Sequence, residues 1–338
     1  MELYAGMDLH SRNTYLGILD QDFKRVFRKR LNNDVSLILG ALEPFRKELR
    51  GIVVESTYNW YWLVDALMGA GYKLHLANPC AIQQYNGLKY TDDQHDAFWL
   101  AHLLALGILP EGYIYPREER PIRDLLRKRS YLVRHRTSHI QSLQSMIERY
   151  NGQHVTANEI KKFEKGDLAS IFEEEDLLLS SEASVDNIKC LTRHIETIQK
   201  RVKNVLKIKK PFKLLMTVPG IGEILTLTIM LEVGDIKRFS NVGNFASYAR
   251  CVPTDRISNS KSKGKGNRKN GNRYLSWAFI EASHFARGFN EGFRRYYQKK
   301  AAKTNKILAT KALSCKLARI AYYIMKDEVP FKEDIVFC

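Results

Sequence analysis

The 338 residues predict a mixed α/β sheet at the N-terminus, a helical middle and a mainly helical C-terminal part. Three patterns carry that prediction. Alternating or apolar runs broken by turn residues fill about the first 115 positions, heptad-like spacings fill the middle, and longer apolar helical stripes follow residue 211. Residues 3–9 form an apolar run interrupted near its end by Asp8, while 14–19 and 25–31 alternate as half-buried strands do. Asn33 and Asp34 offer an N-cap for a helix through 49, and Gly51 opens a strand over 52–54 that ends on Glu55. A helix over 59–67 stops at Gly69 and Gly71, and 73–77 reads as a fifth strand. The helix after Thr91 carries Asp93, Asp96, Trp99 and Leu103.

In the middle, Leu126, Val133, Ile140 and Ile147 fall seven apart. Arg129 and Arg136 sit in the companion row, so the seam is imperfect. Ile188, Leu191, Ile195, Ile198, Val202 and Val205 alternate steps of three and four. The pair predicts a helical hairpin or a dimerising coiled coil. After Pro211 come the turn VPGIG, an apolar helix over 223–233, a basic Gly/Ser/Asn-rich loop over 258–271, and helices over 273–289 and 305–325. The division expected is therefore 1–116, 117–210 and 211–330.

Composition narrows the function. Hydrophobic residues make up 44% of the chain, enough for a core, and 54 Lys+Arg against 37 Asp+Glu leave a net charge of +17, which calls for a polyanionic partner. The five cysteines form no CxxC pair, which argues against a zinc knuckle or a disulfide framework. No run approaches the roughly 20 apolar residues of a membrane span, and MELYAGMDLH is unlike a secretion signal. A cytoplasmic protein that handles nucleic acid is expected.

Three constellations could carry chemistry. Asp8 and Glu55 end two strands that lie side by side in an RNase H-like sheet, and Asp93 and Asp96 share one helix face. Four converging carboxylates make a hard-oxygen site suited to Mg²⁺. Taken singly, Asp8 reads as a turn residue, Glu55 as a surface charge and Asp92/Asp93 as a helix N-cap. The second constellation is VPGIG, where Gly220 and Gly222 would let backbone amides approach a phosphate, or would simply make a tight turn. The third is the 256–269 segment, in which Arg256, Lys261, Lys263, Lys265, Arg268 and Lys269 face no acid. It suits phosphate gripping and ordering on binding, or a disordered basic tail.

The order MDLHS, VVEST, DDQHDA, VPGIG, RCVPTDRISNSK and KNGNRYLSWA resembles the DEDD transposases of the insertion-sequence family also called bridge recombinases, the IS one-ten family. The resemblance covers nearly the whole chain. It implies a RuvC-like, RNase H-fold domain, a coiled-coil linker and a C-terminal transposase domain. It implies Mg²⁺ on Asp8, Glu55, Asp93 and Asp96, and a nucleophilic serine five residues after a proline, hence Ser258 after Pro253. Many members have glycine after that serine. This chain has Asn259-Ser260, which leaves Ser260 as a contender, just as Asp92 shadows Asp93. The implied partners are a structured bridge RNA, donor and target double-stranded DNA, and further copies of the chain (a dimer, then a tetramer on synapsis). The implied reaction is recombination through a covalent serine–phosphate intermediate. Two rivals remain: a RuvC-like resolvase that uses water, and a non-catalytic nucleic-acid-binding protein.

Overall fold

Five strands, β1 (Leu3–Leu9), β2 (Asn13–Asp20), β3 (Arg25–Asn32), β4 (Leu49–Glu55) and β5 (Leu74–Ala77), pair in the spatial order β3-β2-β1-β4-β5. The first three are antiparallel neighbours, whereas β4 runs parallel to β1 and β5 parallel to β4. The computed structural model describes residues 1–82, 92–206, 209–266 and 269–334. Arg268 lies outside them, as do the side chains of Arg256 and Lys265.

Alternation along the strands decides what each face of the sheet meets. Leu3, Ala5, Met7 and Leu9 of β1 join Leu16, Ile18, Ile52 and Val54 in the core beneath α1 (Val35–Leu42) and α2 (Tyr61–Gly69). The residues between them face the other way. There α3 (Asp93–Ala105) packs on β1 and β2, with Phe98 and Ala101 against Leu19, and Leu100 and Leu103 against Val53. Asp8 and Glu55 share the parity of Gly6 and Val53, so both strand ends present their carboxylates on the side of α3.

The basic segment after Pro253 contains two short strands where composition suggested a loop. It forms a two-stranded hairpin of β6 (Asp255–Ser258) and β7 (Lys261–Lys265), with Ser258 paired to Lys261. Asn259 and Ser260 make its two-residue turn with φ of 49° and 57°. Two consecutive left-handed residues are what a tight hairpin turn needs, and asparagine tolerates that conformation better than other non-glycine residues. The glycine common in the resembling family would meet the same demand at 259.

The helical remainder comprises α4 (Arg120–Asn151), α5 (Ala157–Ile160), α6 (Lys165–Ala169), α7 (Glu175–Leu206), α8 (Lys210–Leu215), α9 (Glu223–Val233), α10 (Val242–Tyr248), α11 (Arg273–Phe289), α12 (Glu291–Lys303) and α13 (Lys306–Asp327). The long helices α4 and α7 form an antiparallel hairpin. Leu126 packs with Val202 and Leu206 at one end, and Ile140, Leu143 and Ile147 with Val185 and Ile188 at the other. Arg129 and Arg136, which spoil the apolar seam, donate to Gln199 Oε1 (3.2 Å) and Thr192 Oγ1 (3.1 Å) across it. The apolar stripe that could have joined two chains is covered within one.

The chain gathers into two compact units, which differ from the three consecutive segments read from the sequence. One joins Met1–Arg117 to Thr254–Asn270, and the other joins Glu118–Pro253 to Gly271–Cys338. The serine-bearing hairpin therefore falls in the unit that holds the acids, and α4 and α7 fall in the unit of the C-terminal helices. Among the described residues no helix is long and apolar enough to cross a membrane.

Candidate active site

The site begins at Gly6. A Cβ built there would stand 1.9 Å from the Ala97 carbonyl oxygen and 2.8 Å from the Ala101 nitrogen, so the missing side chain is what lets α3 lie directly on β1. That close approach carries the first turn of α3 to the end of β1. Asp92 caps the helix, its side chain accepting from the His95 N–H at 2.7 Å. Asp93 and Asp96 follow within the first turn. Capping occupies Asp92 and leaves the other two for the strand-end carboxylates.

Asp8 is 4% exposed. His10 Nε2 lies 2.9 Å from Asp8 Oδ2 and 3.2 Å from Asp93 Oδ1, bridging strand end and helix start. The His10 carbonyl accepts from Asn33 Nδ2 at 2.9 Å and Asn59 Nδ2 at 3.0 Å, which fixes the backbone that carries the ring. Asp8, His10 and Asp93 each offer a ligand atom, all within 4.8 Å of one another. His10 went unremarked in the sequence. The signal was present in its position, two residues past Asp8 and directly after the end of β1.

Glu55 and Asp96 complete the acidic group electrostatically. Burial, then the charges of Asp8 and Asp96, push the Glu55 carboxyl up to about 7. Burial also raises Asp8, against the pull of His10 and with the charges of Asp96 and Asp93 adding to it. Asp96 is raised by burial first, and its buried Oδ1 has no hydrogen-bond partner. Crowded, partly desolvated carboxylates with an orphaned oxygen suit a divalent cation, which supplies the missing positive charge.

The other predicted residues are distributed as follows. Ser258, Lys261, Lys263 and Lys269 are exposed on or beside the β6–β7 hairpin. In the VPGIG turn between α8 and α9, Val218 and Ile221 are buried. Gly220, at φ +91°, fits against α11, where a Cβ would come 2.4 Å from the Ala286 nitrogen. Packing therefore accounts for Gly220. Gly222 precedes α9 and has open space around it. The KNGNRYLSWA stretch proves structural at Asn272, which caps α11 through the Tyr274 and Leu275 amides and donates to Glu232 at 2.7 Å.

Two family profiles match the chain. The profile described as a transposase of the DEDD, IS110 type covers residues 5–151, which include all four acids, and that of the IS116/IS110/IS902 transposase family covers residues 212–298. The chain belongs to the IS110 family of transposases. A transposase of the insertion element IS1111A from Coxiella burnetii is 24% identical over 238 residues, 67% of this chain and 62% of that protein. The 44.8 kDa protein of the element IS116 from Streptomyces clavuligerus is 26% identical over 41% of this chain and 36% of its own length. The 43.6 kDa protein of IS110 from Streptomyces coelicolor is 23% identical over 38% and 31%. This IS110-family chain thus aligns with less than two thirds of each of these relatives.

Proposed function

We propose that this chain is the transposase of an insertion sequence and recombines DNA under the direction of a structured bridge RNA. The observation that carries the reading is the meeting of Asp8, Glu55, Asp93 and Asp96 at one sheet edge, with Glu55 pushed up to about 7. The strand order β3-β2-β1-β4-β5, antiparallel through β3, β2 and β1 and parallel from β1 to β5, supports an RNase H-like, RuvC-type domain for this unit. Asp8, Glu55, Asp93 and Asp96 would hold Mg²⁺. When bound, Mg²⁺ offsets negative charge on the phosphodiester and on the attacking and leaving oxygens.

The chain's own part is to deliver a hydroxyl. In the proposed step the Ser258 oxygen bonds to phosphorus, the P–O3′ bond breaks, and the released 3′ oxygen takes up a proton to leave a free hydroxyl. Ser258 sits at the end of β6 beside the two-residue turn, exposed and flanked by Lys261 and Lys263 of the facing strand. Those cations, with Lys269 and with Arg256, Lys265 and Arg268 of the same segment, would grip the DNA or RNA backbone, and Gly222 would offer its helix start to phosphate. Strand exchange between donor and target DNA would use several copies of the chain.

The test is an adduct assay on full-length protein with RNA, Mg²⁺ and end-labelled donor DNA, resolved on a denaturing gel. The unmodified protein should yield a covalent adduct that disappears with EDTA, with Asp8→Asn and with Ser258→Ala. Omission of RNA should abolish it as well. Cleavage without any adduct would replace this reading with the water-using nuclease, and unchanged cleavage by Asp8→Asn would remove the acidic site from the chemistry.

A further inference from the structure

A large share of the excess positive charge lies where the sequence motifs did not point. Residues 291–332, which span α12, α13 and the segment after them, hold eleven Lys/Arg against three acids. That gives +8 of the total +17, more than the six cations of residues 256–269.

Three of these cations, Lys316, Arg319 and Lys332, line a cleft. A cavity of about 760 Å³ opens between α12, α13 and residues 329–332, well within the range of ligand sites. On α13, Lys316, Arg319 and Tyr323 stand three and four residues apart and so share one face. Tyr296 lines the opposite side from α12, and its ring lies 5.1 Å from Lys316 Nζ and 5.8 Å from Lys300 Nζ. Phe331 and Lys332 close the groove, and among the described residues Asp327 is the one acid on its lining.

The wall is built rather than left over. Glu328 pairs with Lys210, the Phe331 N–H donates to Thr217 Oγ1 at 2.9 Å, and Asn290 Nδ2 donates to Glu333 Oε2 at 3.0 Å. The Phe331 ring packs 5.8 Å from that of Phe293. These tethers fix residues 328–333 beside the cleft. Tyr323 remains 47% exposed. Burial and the neighbouring Arg319 charge hold Lys316 below the usual lysine range.

We propose that this groove is a second nucleic-acid site that takes an unpaired nucleotide segment, with phosphate on Lys316, Arg319 and Lys332 and bases stacked on Tyr296 and Tyr323. Aromatic faces alternating with cations are what a single strand requires, because its bases are free to stack while its backbone follows the charge. A paired duplex keeps its bases inside and offers the groove phosphate alone. The site rests on the nucleic-acid function proposed above but uses none of the DEDD or hairpin residues.

Fluorescence anisotropy on the full-length protein tests it, with labelled single-stranded RNA, single-stranded DNA of the same sequence, and a duplex. Tyr323→Ala should weaken single-strand binding on the order of 10-fold or more. Lys316→Gln with Arg319→Gln should reduce the log K against log salt slope by about 1.4, roughly 0.7 for each phosphate no longer neutralised on a single strand. Duplex affinity should stay within about twofold, and circular dichroism should confirm that each variant folds. The RNA and DNA arms report which strand the groove prefers, and binding of either one supports the site. Unchanged single-strand affinity in folded variants, or equal loss on single strand and duplex, overturns it. So does a change in sedimenting mass without a change in oligonucleotide affinity, which would make the groove an interface between chains. Asp8→Asn should keep single-strand binding while losing DNA cleavage, so failure of the catalytic reading is distinguishable from failure of the groove.

Discussion

Gly6 and Gly17 face one another across the β1–β2 ladder, and α3 lies on both. At Gly6 the obstacle to a side chain is the main chain of Ala97 and Ala101, which cannot swing aside. At Gly17 it is the Phe98 ring, 2.9 Å from where a Cβ would stand, which can rotate. The two glycines set how deep α3 sits, and hence whether Asp93 and Asp96 reach Asp8 and Glu55.

Gly6→Ala should therefore cost more than Gly17→Ala. Overpacking against backbone is expected to cost at least about 1–3 kcal/mol, with Gly17→Ala toward the low end. Chemical denaturation gives the stability ranking, and the adduct assay should show Gly6→Ala impaired even where the protein remains folded. A Gly6→Ala protein of full stability and full activity would mean that α3 position does not control the site.

The ion pair Arg127–Glu232 holds α4 to α9 in the other unit. Both hydrogen bonds are 2.6 Å, Glu232 is 3% exposed, and Asn272 donates to the same carboxylate. Glu232→Ala should cost about 3–5 kcal/mol, since it leaves the Arg127 guanidinium with only Asp124 at 3.9 Å and the α11 cap without its Glu232 acceptor. The loss should persist at 1 M salt when measured by urea denaturation, because a pair this buried is poorly screened. A surface pair such as Arg295–Glu291, four residues apart on α12, provides the contrast and should be worth no more than about 0.5 kcal/mol.

The crowded acids make stability depend on pH in a definite direction. Glu55 has a folded-state value of about 7 against an ordinary 4.5, through burial and the charges of Asp8 and Asp96. Between those values the folded chain keeps a proton that the unfolded chain has lost. Stability then falls as pH rises through that window. Glu55→Gln should flatten the fall and raise the metal-free melting temperature at pH 7.5 by roughly 2–4 °C, about what 1 kcal/mol gives in a domain of this size. Adding Mg²⁺ should stabilise the unmodified protein more than the variant. Melts at pH 5 and pH 7.5, with and without Mg²⁺, check both halves, and parallel pH slopes for the two proteins would refute the first.

Much of this architecture was legible because it obeys simple periods. The apolar run of β1, the Asp92 cap and the apolar 223–233 helix all announce themselves in residue order. What was not legible depends on neighbours distant in sequence. Gly6 looks like any strand glycine until Ala97 and Ala101 are placed on it. Helix α12 escaped notice because Phe293 is its one fully buried residue, so no apolar stripe marks it. Arg129 and Arg136 read as flaws in a seam until Gln199 and Thr192 appear opposite them. The basic hairpin was hidden by its own composition, which reads as a loop, while the left-handed pair at Asn259 and Ser260 turns the chain between its two strands.

That turn separates the two candidate serines. Ser258 ends β6 in extended backbone, whereas Ser260 occupies the second left-handed position of the turn. Ser258→Ala should abolish the covalent adduct with DNA, and Ser260→Ala should retain much of it. Asn259→Gly should be neutral or slightly stabilising, because glycine meets φ 49° without strain, while Asn259→Val should weaken the hairpin and slow adduct formation, since β-branched residues resist that conformation. Neutralising Lys261, Lys263, Lys265, Arg268 and Lys269 together should flatten the salt dependence of duplex binding by several units. Denaturing gels with labelled donor DNA and anisotropy across a salt series read these outcomes. A full adduct from Ser258→Ala with none from Ser260→Ala would move the nucleophile to the turn, and loss of adduct in Asn259→Gly would show that the asparagine side chain, not the backbone it permits, is what this position requires.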